Sequence, residues 1–359
     1  MLVHICCAVD SHYFLQKLQS DYPNERLIGF FYDPNIQPYS EYRLRLLDVQ
    51  RSCSILKIEL LEGDYDVDAW LKVVKGYEKE PEKGARCSIC FDRRFEVSAQ
   101  KASEIGEKIF TSTLLTSPKK SLSQLQNAGD KLAYRYGIEF LAPDYRKASG
   151  TQEQNILAKK DKLYRQDYCG CIYGLTTQRE SQDKLADELI SPISKQIQPE
   201  SIEERLELYE KRLRYEEWDI EYKIIKQRFL NWRLLSGLVR VRGEIISSYF
   251  LPYSSIKGKY TRGKIEYNID NLHYMNRDEI RFISLDRYNS LASTEYKSTK
   301  ELIFSPPRFE TDKLIRDKLE PFGFSVSSII VVDTIPDKKI EILLDAKLYF
   351  DVREILIEV

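Results

Sequence analysis

The sequence lacks an excess of charge of either sign. Its 55 lysines and arginines are balanced by 56 aspartates and glutamates, so the overall charge gives no indication of nucleic-acid or membrane binding. It also lacks a run of the roughly 20 apolar residues that a membrane span requires. The opening segment MLVHICCAVD has no basic region, apolar core or cleavage site typical of a secretory signal. We therefore expect a cytoplasmic protein without a membrane segment.

Cysteine is absent after Cys171, although seven cysteines occur up to that point. In a reducing compartment such residues rarely form disulfides, so metal ligation or thiol chemistry is their expected use. The chain also contains no internal repeat and no low-complexity segment. Because 359 residues exceed what one hydrophobic core usually organises, we expect two domains.

Short apolar runs alternate with amphipathic stretches over residues 1–145, a pattern typical of an α/β domain with a doubly wound parallel sheet. Such sheets bind ligands beyond the carboxyl ends of their strands, and Cys6 and Cys7 stand at one such end. Cys53 lies on the apolar stripe of a predicted helix and is expected in the core. The predicted strands are 2–6, 27–32, 57–61, 108–115 and 138–141, and the predicted helices carry apolar stripes over 42–56 and 91–105.

The composition changes after about residue 176, where charged residues become frequent. We predict a catalytic, metal-cluster α/β domain at 1–185, a helical linker at 186–235 and a smaller α+β accessory domain at 236–359. The linker rests on the helical spacing of apolar residues between Ile202 and Trp218. The accessory domain rests on β-type runs at 239–249, 329–332, 340–344 and 355–359, with a helix at 311–319.

Three close pairs of cysteines provide the strongest chemical signal. Cys87 and Cys90 form a C-x-x-C at the start of a predicted helix, where free backbone N–H groups and the helix dipole favour thiolates. A lone C-x-x-C also suits a redox-active disulfide, whereas a metal site requires further ligands. Two further pairs are present, Cys6-Cys7 and Cys169-Gly170-Cys171.

Adjacent residues of an extended segment point to opposite sides, so we expect Cys6 and Cys7 to serve two neighbouring centres. A helix that begins near Ala8 would place Asp10 over the same spot. Six thiols and one carboxylate would satisfy a four-cysteine iron–sulfur cluster and a second ion with an open coordination position.

Seven short strings occur in one order over about the first 175 residues. They are HICCA at 4–8, YDPNIQP at 32–38, EY at 41–42, EPEKGARC at 80–87 followed by Cys90, SPKK at 117–120, DYRK at 144–147 and YRQDYCGC at 164–171. In this order they resemble the QueH family of epoxyqueuosine reductases. The resemblance implies a Rossmann-like domain, a [4Fe-4S] cluster beside a mononuclear iron (or zinc in its place), and reduction of epoxyqueuosine to queuosine at the wobble position of tRNA.

The resemblance also implies the roles of individual residues. Asp10 would be the carboxylate on the mononuclear ion, although many members of the family have Pro and then Cys at positions 9 and 10. We assign to the cluster Cys87, Cys90, one residue of Cys6/Cys7 and one of Cys169/Cys171. The six implied thiolate ligands are Cys6, Cys7, Cys87, Cys90, Cys169 and Cys171.

Loss of the epoxide oxygen consumes two electrons, from an electron donor that the sequence does not identify, and two protons. Asp10, Asp144 and Tyr164 are the candidate catalytic residues, and Tyr168 and His4 are further titratable candidates. His4 lies within a predicted strand and favours a core role. The expected substrate contacts are Ser117, Lys119, Arg146, Arg165 and Gln166.

A basic stretch in the second half of the chain is a candidate segment for binding the tRNA partner. Between residues 223 and 264 only one acidic residue, Glu244, accompanies ten basic ones, with one tryptophan and three tyrosines interleaved. Cations contact phosphates and aromatics stack on unpaired bases, although a solvated charged face is the alternative. The basic residues are Lys223, Lys226, Arg228, Arg233, Arg240, Arg242, Lys257, Lys259, Arg262 and Lys264.

Two other functions are alternatives to the reductase. An ATP-dependent tRNA-thiolating enzyme would need a Ser/Gly-rich phosphate loop after the first strand, where this chain has Cys6-Cys7-Ala8-Val9-Asp10. A zinc-stabilised, non-catalytic tRNA-binding protein would use the basic stretch alone. Iron and sulfide in anaerobically purified protein would distinguish the reductase from this binding protein.

Overall fold

A computed structural model describes residues 1–116, 121–147, 149–277, 279–320 and 322–359. The chain forms two compact units, and each is discontinuous in sequence. The first consists of Met1–Ala186 with Tyr209–Ile220, and the second of Asp187–Leu208 with Glu221–Val359. Among the described residues, no helix has both the length and the apolar character needed to cross a membrane.

The first unit contains the predicted parallel sheet, with strand order β3-β2-β1-β4-β5. This order reverses beside β1, and the crevice beyond β1 and β4 is the usual ligand position in a doubly wound sheet. The strands are β1 (Leu2–Ile5), β2 (Ile28–Phe31), β3 (Glu59–Glu62), β4 (Ile109–Ser112) and β5 (Glu139–Phe140), and the helices are α1 (Ala8–Asp21), α2 (Tyr39–Leu56), α3 (Val67–Val73), α4 (Ala85–Glu104), α5 (Leu122–Tyr136), α6 (Gly150–Lys160) and α7 (Ile172–Ser181).

Apolar residues explain why the strands lie at the centre of this unit. All four residues of β1 and all four of β2 are buried, as expected for strands covered on both faces. Cys53 of α2 is 1% exposed and belongs to the same core, which confirms its predicted structural role. Burial raises the pKa of its thiol to about 12.

Within the predicted helical linker at 186–235, the structure places one α-helix, α8 (Ile202–Glu217). The prediction of a linker reaching residue 235 is wrong, because strand β6 already begins at Tyr222, where the spacing of apolar residues changes. The later part of α8 belongs to the first unit. There Arg212, which is fully buried, donates from Nη2 to Asp48 Oδ1 at 2.6 Å and from Nη1 to the Lys162 carbonyl at 2.8 Å.

The second unit combines helices and mostly antiparallel strands in an α+β arrangement, and it includes residues 187–208 and 221–235, which precede the predicted boundary at residue 236. Its two sheets have the strand orders β10-β11-β12-β13-β8 and β7-β6-β14-β9. Strands β6 and β14 pair antiparallel over their whole length, from Tyr222↔Glu358 to Val241↔Ile340. The strands are β6 (Tyr222–Val241), β7 (Glu244–Ile246), β8 (Ser248–Phe250), β9 (Tyr260–Gly263), β10 (Ile265–Ile269), β11 (Leu272–Met275), β12 (Arg281–Ser284), β13 (Ile329–Val332) and β14 (Ile340–Glu358), and the helices are α9 (Leu285–Ala292), α10 (Thr299–Phe304) and α11 (Phe309–Leu319).

Candidate metal centre

The carboxyl end of β1 brings three potential ligands together. Cys6 Sγ lies 3.8 Å from Cys7 Sγ and 4.0 Å from Asp10 Oδ2, and one ligand atom from each residue falls within a 4.8 Å group. The expectation that Cys6 and Cys7 point to opposite sides is therefore wrong. The strand ends at Ile5, and Cys7 is the N-cap of α1, so the alternation of a regular strand no longer applies.

Asp10 lies in the first turn of α1, as expected from a helix beginning at Ala8. Its Oδ1 accepts a hydrogen bond from Gln154 Nε2 at 2.8 Å, and the same amide donates to the Val9 carbonyl. Gln154 therefore holds the carboxylate in a fixed orientation, as residues behind a metal ligand commonly do.

The C-x-x-C pair lies at the start of α4, which begins at Ala85 after the N-cap Gly84. Cys87 is in the first turn, where its Sγ accepts a hydrogen bond from the Lys83 backbone N–H at 3.2 Å. Cys90 is one turn further along, is 7% exposed and packs in one apolar cluster with Trp70. This arrangement gives the Cys87 sulfur a backbone donor and shields Cys90 from water.

The third pair depends on the glycine between its cysteines. Gly170 has a φ of +107°, and a Cβ there would lie 2.8 Å from Ile36 Cγ1, so a side chain would be both strained and obstructed. The Gly170 carbonyl accepts from the Gln37 backbone N–H at 2.8 Å. Cys169 is exposed, whereas Cys171 is buried as the N-cap of α7.

The three pairs meet at a cavity of about 200 Å³. Every predicted thiolate ligand except the buried Cys7 contributes to its wall, together with Asp10 and Gln166. Asn35 also lines it, and its Oδ1 is buried and has no hydrogen-bond partner among the described residues. The cysteines on the wall are Cys6, Cys87, Cys90, Cys169 and Cys171.

Three buried arginines surround these cysteines. Arg45 donates to Glu41 Oε1 at 2.7 Å and to the carbonyls of Cys169 and Tyr168 at 3.2 and 3.1 Å. Arg94 pairs with buried Asp33 and lines the same cavity as Cys6. Because their acidic neighbours raise the pKa of both guanidiniums despite burial, each keeps its positive charge.

The third arginine, Arg86, directly precedes Cys87. Its Nη1 donates to the carbonyls of Tyr77, Glu78 and Glu80 at 3.2, 2.8 and 2.6 Å, so backbone carbonyls accept its hydrogen bonds. None of the three arginines was predicted. A signal did exist for Arg45, because Glu41 and Arg45 are four residues apart beside the apolar stripe of α2.

The protonation of the thiols indicates what the site can bind. The hydrogen bond to Cys6, and then burial, raise the pKa of Cys7. Burial raises the pKa of Cys90 to about 11, and the hydrogen bond to Cys169, followed by burial, raises that of Cys171. Thiolates here therefore need a cation as a direct partner. Closely spaced thiols beside one carboxylate fit an iron–sulfur cluster and an adjacent metal ion.

Other candidate residues lie apart from the cavity wall. The Tyr164 hydroxyl donates to Glu41 Oε2 at 2.8 Å, and Asp144 accepts from the Arg146 backbone N–H at 3.2 Å. His4 is buried between Ser112 and the Tyr32 carbonyl, and burial lowers its pKa, in line with a core role.

The predicted substrate contacts are spread over several places. Gln166 lines the cavity, as does Tyr168 from the titratable candidates. Arg165 is exposed and donates to Asn155 Oδ1 at 2.5 Å, while Arg146 lies near Asp144. Ser117 and Lys119 fall outside the described residues.

The sequence is similar to proteins of one family. The family model described as epoxyqueuosine reductase QueH matches residues 1–177. A protein of that name from Helicobacter pylori is 39% identical over 94% of this chain and 95% of its own length. The protein of that name from Thermotoga maritima is 34% identical over 52% of this chain and 95% of its own length. The one from Acinetobacter baylyi is 39% identical over 49% of this chain and 80% of its own length. Similarity therefore extends beyond the cysteine-bearing half in at least one relative.

Among solved structures, a U34-tRNA thiolase NcsA from Methanococcus maripaludis with its [4Fe-4S] cluster shares 15% identity. The structural match covers 60% of this chain and 73% of the thiolase chain, with a TM-score of 0.34. This similarity is too weak to support any inference about the site.

Proposed function

The chain belongs to the QueH family of epoxyqueuosine reductases, and from this premise we propose how its side chains serve that reaction. As an oxidoreductase of queuosine biosynthesis it removes the epoxide oxygen of epoxyqueuosine in tRNA and leaves the alkene of queuosine. Two electrons and two protons enter for each molecule of water released. The electrons come from a donor that is still to be identified. Because tRNA is its substrate, we place the enzyme in the cytoplasm.

One observation carries the proposal: five of the six paired cysteines and Asp10 face one cavity, with Cys7 directly behind Cys6. We propose that a [4Fe-4S] cluster is held by Cys87, Cys90 and one residue from each of the other two pairs. The remaining two cysteines and Asp10 would hold a mononuclear iron, or zinc in its place. When bound, these groups supply single-electron transfer and a Lewis acid.

The protein's own residues would then prepare the cavity for the reaction. Arg45, Arg86 and Arg94 offset the negative charge of up to six thiolates and one carboxylate in a buried site. Gln154 fixes the Asp10 carboxylate. Asp33, Glu41 and the backbone carbonyls keep the arginines in position. The arginines would thereby reduce the negative charge of the ligands, and bound metal ions would supply the remaining positive charge.

Proton delivery and substrate binding remain assigned by prediction. Tyr168 lines the cavity, where a proton donor must lie within hydrogen-bond reach of the epoxide oxygen. Asp144 and Tyr164 do not line the cavity, and they stay candidate catalytic residues by prediction alone. Gln166 would contact the modified base from the wall, and Ser117, Lys119, Arg146 and Arg165 would contact the surrounding tRNA.

The test is anaerobic purification followed by metal analysis and a turnover assay. We expect about five iron and about four sulfide per chain, and queuosine in tRNA digests after incubation with epoxyqueuosine-containing tRNA and dithionite. A colourless protein with zinc alone and no queuosine product would instead support the non-catalytic tRNA-binding alternative. Product formation that requires ATP and adds sulfur to tRNA would support the thiolating alternative.

A further inference from the structure

The sheet β7-β6-β14-β9 has two faces of different character. Val239, Ile340 and Ile342 point to one side and are fully buried in an apolar core. Because successive residues of a strand alternate between the faces, Arg240 and Glu341 point to the other side. Arg262 of β9 shares that side, since its Nε lies 3.3 Å from Glu341 Oε1. One face of this sheet is therefore open and charged.

Strand pairing collects residues that are distant in sequence on this open face. Glu341 pairs in register with both Arg240 and Arg262, which makes one row across three strands. One step further in the same register, immediately beyond the strand ends, are Lys339 before β14 and Lys264 after β9, and both are exposed. Four basic side chains thus occupy two neighbouring rows of one sheet.

Three acidic residues near these two rows have cationic partners. Glu341 contacts Arg262, Asp345 accepts from Lys259 Nζ at 2.5 Å, and Asp337 lies 3.1 Å from Lys338. By contrast, no described carboxylate is within ion-pair distance of Arg240, Lys264 or Lys339. The open face therefore carries a net positive charge, which the charge balance of the whole chain conceals.

An aromatic side chain completes this surface. Tyr260 stands two residues before Arg262 on β9, pairs in register with Leu343 and is 52% exposed. A sheet face that offers cations beside an exposed aromatic ring suits a polyanion with stacking bases better than it suits a lipid surface or an acidic protein. At about 4.8 Å between strands, each row spans roughly 10 Å, which is enough for about two backbone phosphates.

We infer that this open face, formed by Tyr260, Arg240, Arg262, Lys264 and Lys339, is a docking surface for the tRNA substrate. The inference rests on the proposed function for the identity of the RNA. It also divides the basic stretch of residues 223–264, because Arg233 is fully buried against Asn231 and the Pro199 carbonyl, and Lys259 is paired with Asp345. Arg233 is therefore unavailable to a phosphate, whereas exposed Lys259 has a surface ion pair of the same kind as Arg262.

The experiment measures binding of the full-length protein to transcribed tRNA with guanosine at the wobble position. The triple variant R240Q/K264Q/K339Q should bind about tenfold more weakly at about 0.15 M salt. The negative slope of log K against log salt should become shallower by about 2 to 3. Tyr260→Ala should weaken binding about tenfold with little change in that slope. At saturating tRNA, kcat should remain that of the wild type.

The matched control is K297Q/K300Q/K318Q, which removes the same charge from other exposed positions of the second unit. Unchanged tRNA affinity in both the triple variant and Tyr260→Ala, with native circular dichroism, would overturn the inference. Selective loss of binding to phosphatidylglycerol vesicles, with tRNA binding intact, would overturn it in favour of a membrane surface. Because binding is measured without turnover, failure of the reductase assay is a separate result.

Discussion

Cys6 Sγ and Cys7 Sγ lie 3.8 Å apart, although the two residues are adjacent in sequence. They converge because the chain leaves β1 at Ile5 and enters α1 at Ala8. Asp10 then places a carboxylate oxygen 4.0 Å from Cys6 Sγ. Two soft donors and one hard donor consequently share one location, so one thiolate can serve the cluster while the other thiolate and the carboxylate serve the adjacent ion.

Asp10→Ala should remove the mononuclear ion and abolish turnover while the cluster absorption persists, because the carboxylate is proposed to bind only that ion. Iron and sulfide analysis with anaerobic visible spectroscopy checks this: about one iron per chain should be lost and no sulfide. Asp130→Asn, on the exposed face of α5, is the control. Full activity of the Asp10→Ala enzyme would contradict the role of this carboxylate.

Cys90→Ala and Cys53→Ala should separate a ligand from a core residue. Loss of Cys90 should remove the cluster absorption, whereas loss of Cys53 should leave metal content and turnover unchanged. Because Cys53 is buried in the core, its truncation should lower the free energy of unfolding by about 1 kcal/mol. Metal analysis and urea unfolding of both variants test the distinction. Equal iron loss in the two variants would contradict it.

Arg86 combines a charge beside the cysteines with bonds to three backbone carbonyls. Arg86→Gln should lower the reduction potential of the bound cluster, because a neighbouring positive charge favours the reduced state. It should also lower stability by about 1–3 kcal/mol, since buried carbonyls lose their donor.

Arg86→Lys keeps the charge but not the planar group that reaches three carbonyls. The Arg86→Lys protein should therefore be less stable than the wild type, while the reduction potential of its cluster should stay close to the wild-type value. Potentials from redox titration followed by electron paramagnetic resonance, together with melting temperatures, test both variants. Equal potential shifts in Arg86→Lys and Arg86→Gln would show that charge is not the cause.

Glu204 should make stability depend on pH. Burial raises its pKa to about 7; Arg353 opposes this rise and Glu310 adds to it. The unfolded chain releases the same proton near pH 4.3, so the stability contribution is complete below that pH and is lost as the pH rises through about 7. At pH 8, Glu204→Gln should be more stable than the wild type by about 1–3 kcal/mol, discounted for partial exposure.

The difference between Glu204→Gln and the wild type should shrink as the pH falls from 8 to 5. Urea unfolding at several pH values measures it, with Glu210→Gln on the exposed part of the same helix as the matched control. A difference that stays constant over this range would contradict the assignment of the titration to Glu204.

Much of the first unit could be predicted because its signals are local. The strands are short apolar runs, and Cys53 follows the periodicity of its own helix. The environment of the cysteines could not be predicted in the same way. Arg45 meets the carbonyl of Cys169 across 124 residues of sequence, and no local pattern specifies that contact.

The open face of the second unit also depends on long-range pairing. Arg240, Arg262 and Lys339 are far apart in sequence, and only the register of β6, β14 and β9 makes them neighbours. The sequence showed basic residues in abundance but could not separate buried Arg233 from exposed Lys264. Ion pairing and burial, which follow from tertiary structure, decide which cations a phosphate can reach.

The bond between Arg212 and Asp48 has a consequence for the order of folding. The two residues are separated by 164 positions, and residues 187–208 of the second unit are synthesised between them. A ribosome therefore releases nearly the whole cysteine-bearing unit before the arginine that neutralises Asp48 exists. Until then a buried carboxylate lacks its partner, which is costly. The first unit can complete its native structure only after synthesis has passed α8, and assembly of its metal centre should follow the same delay.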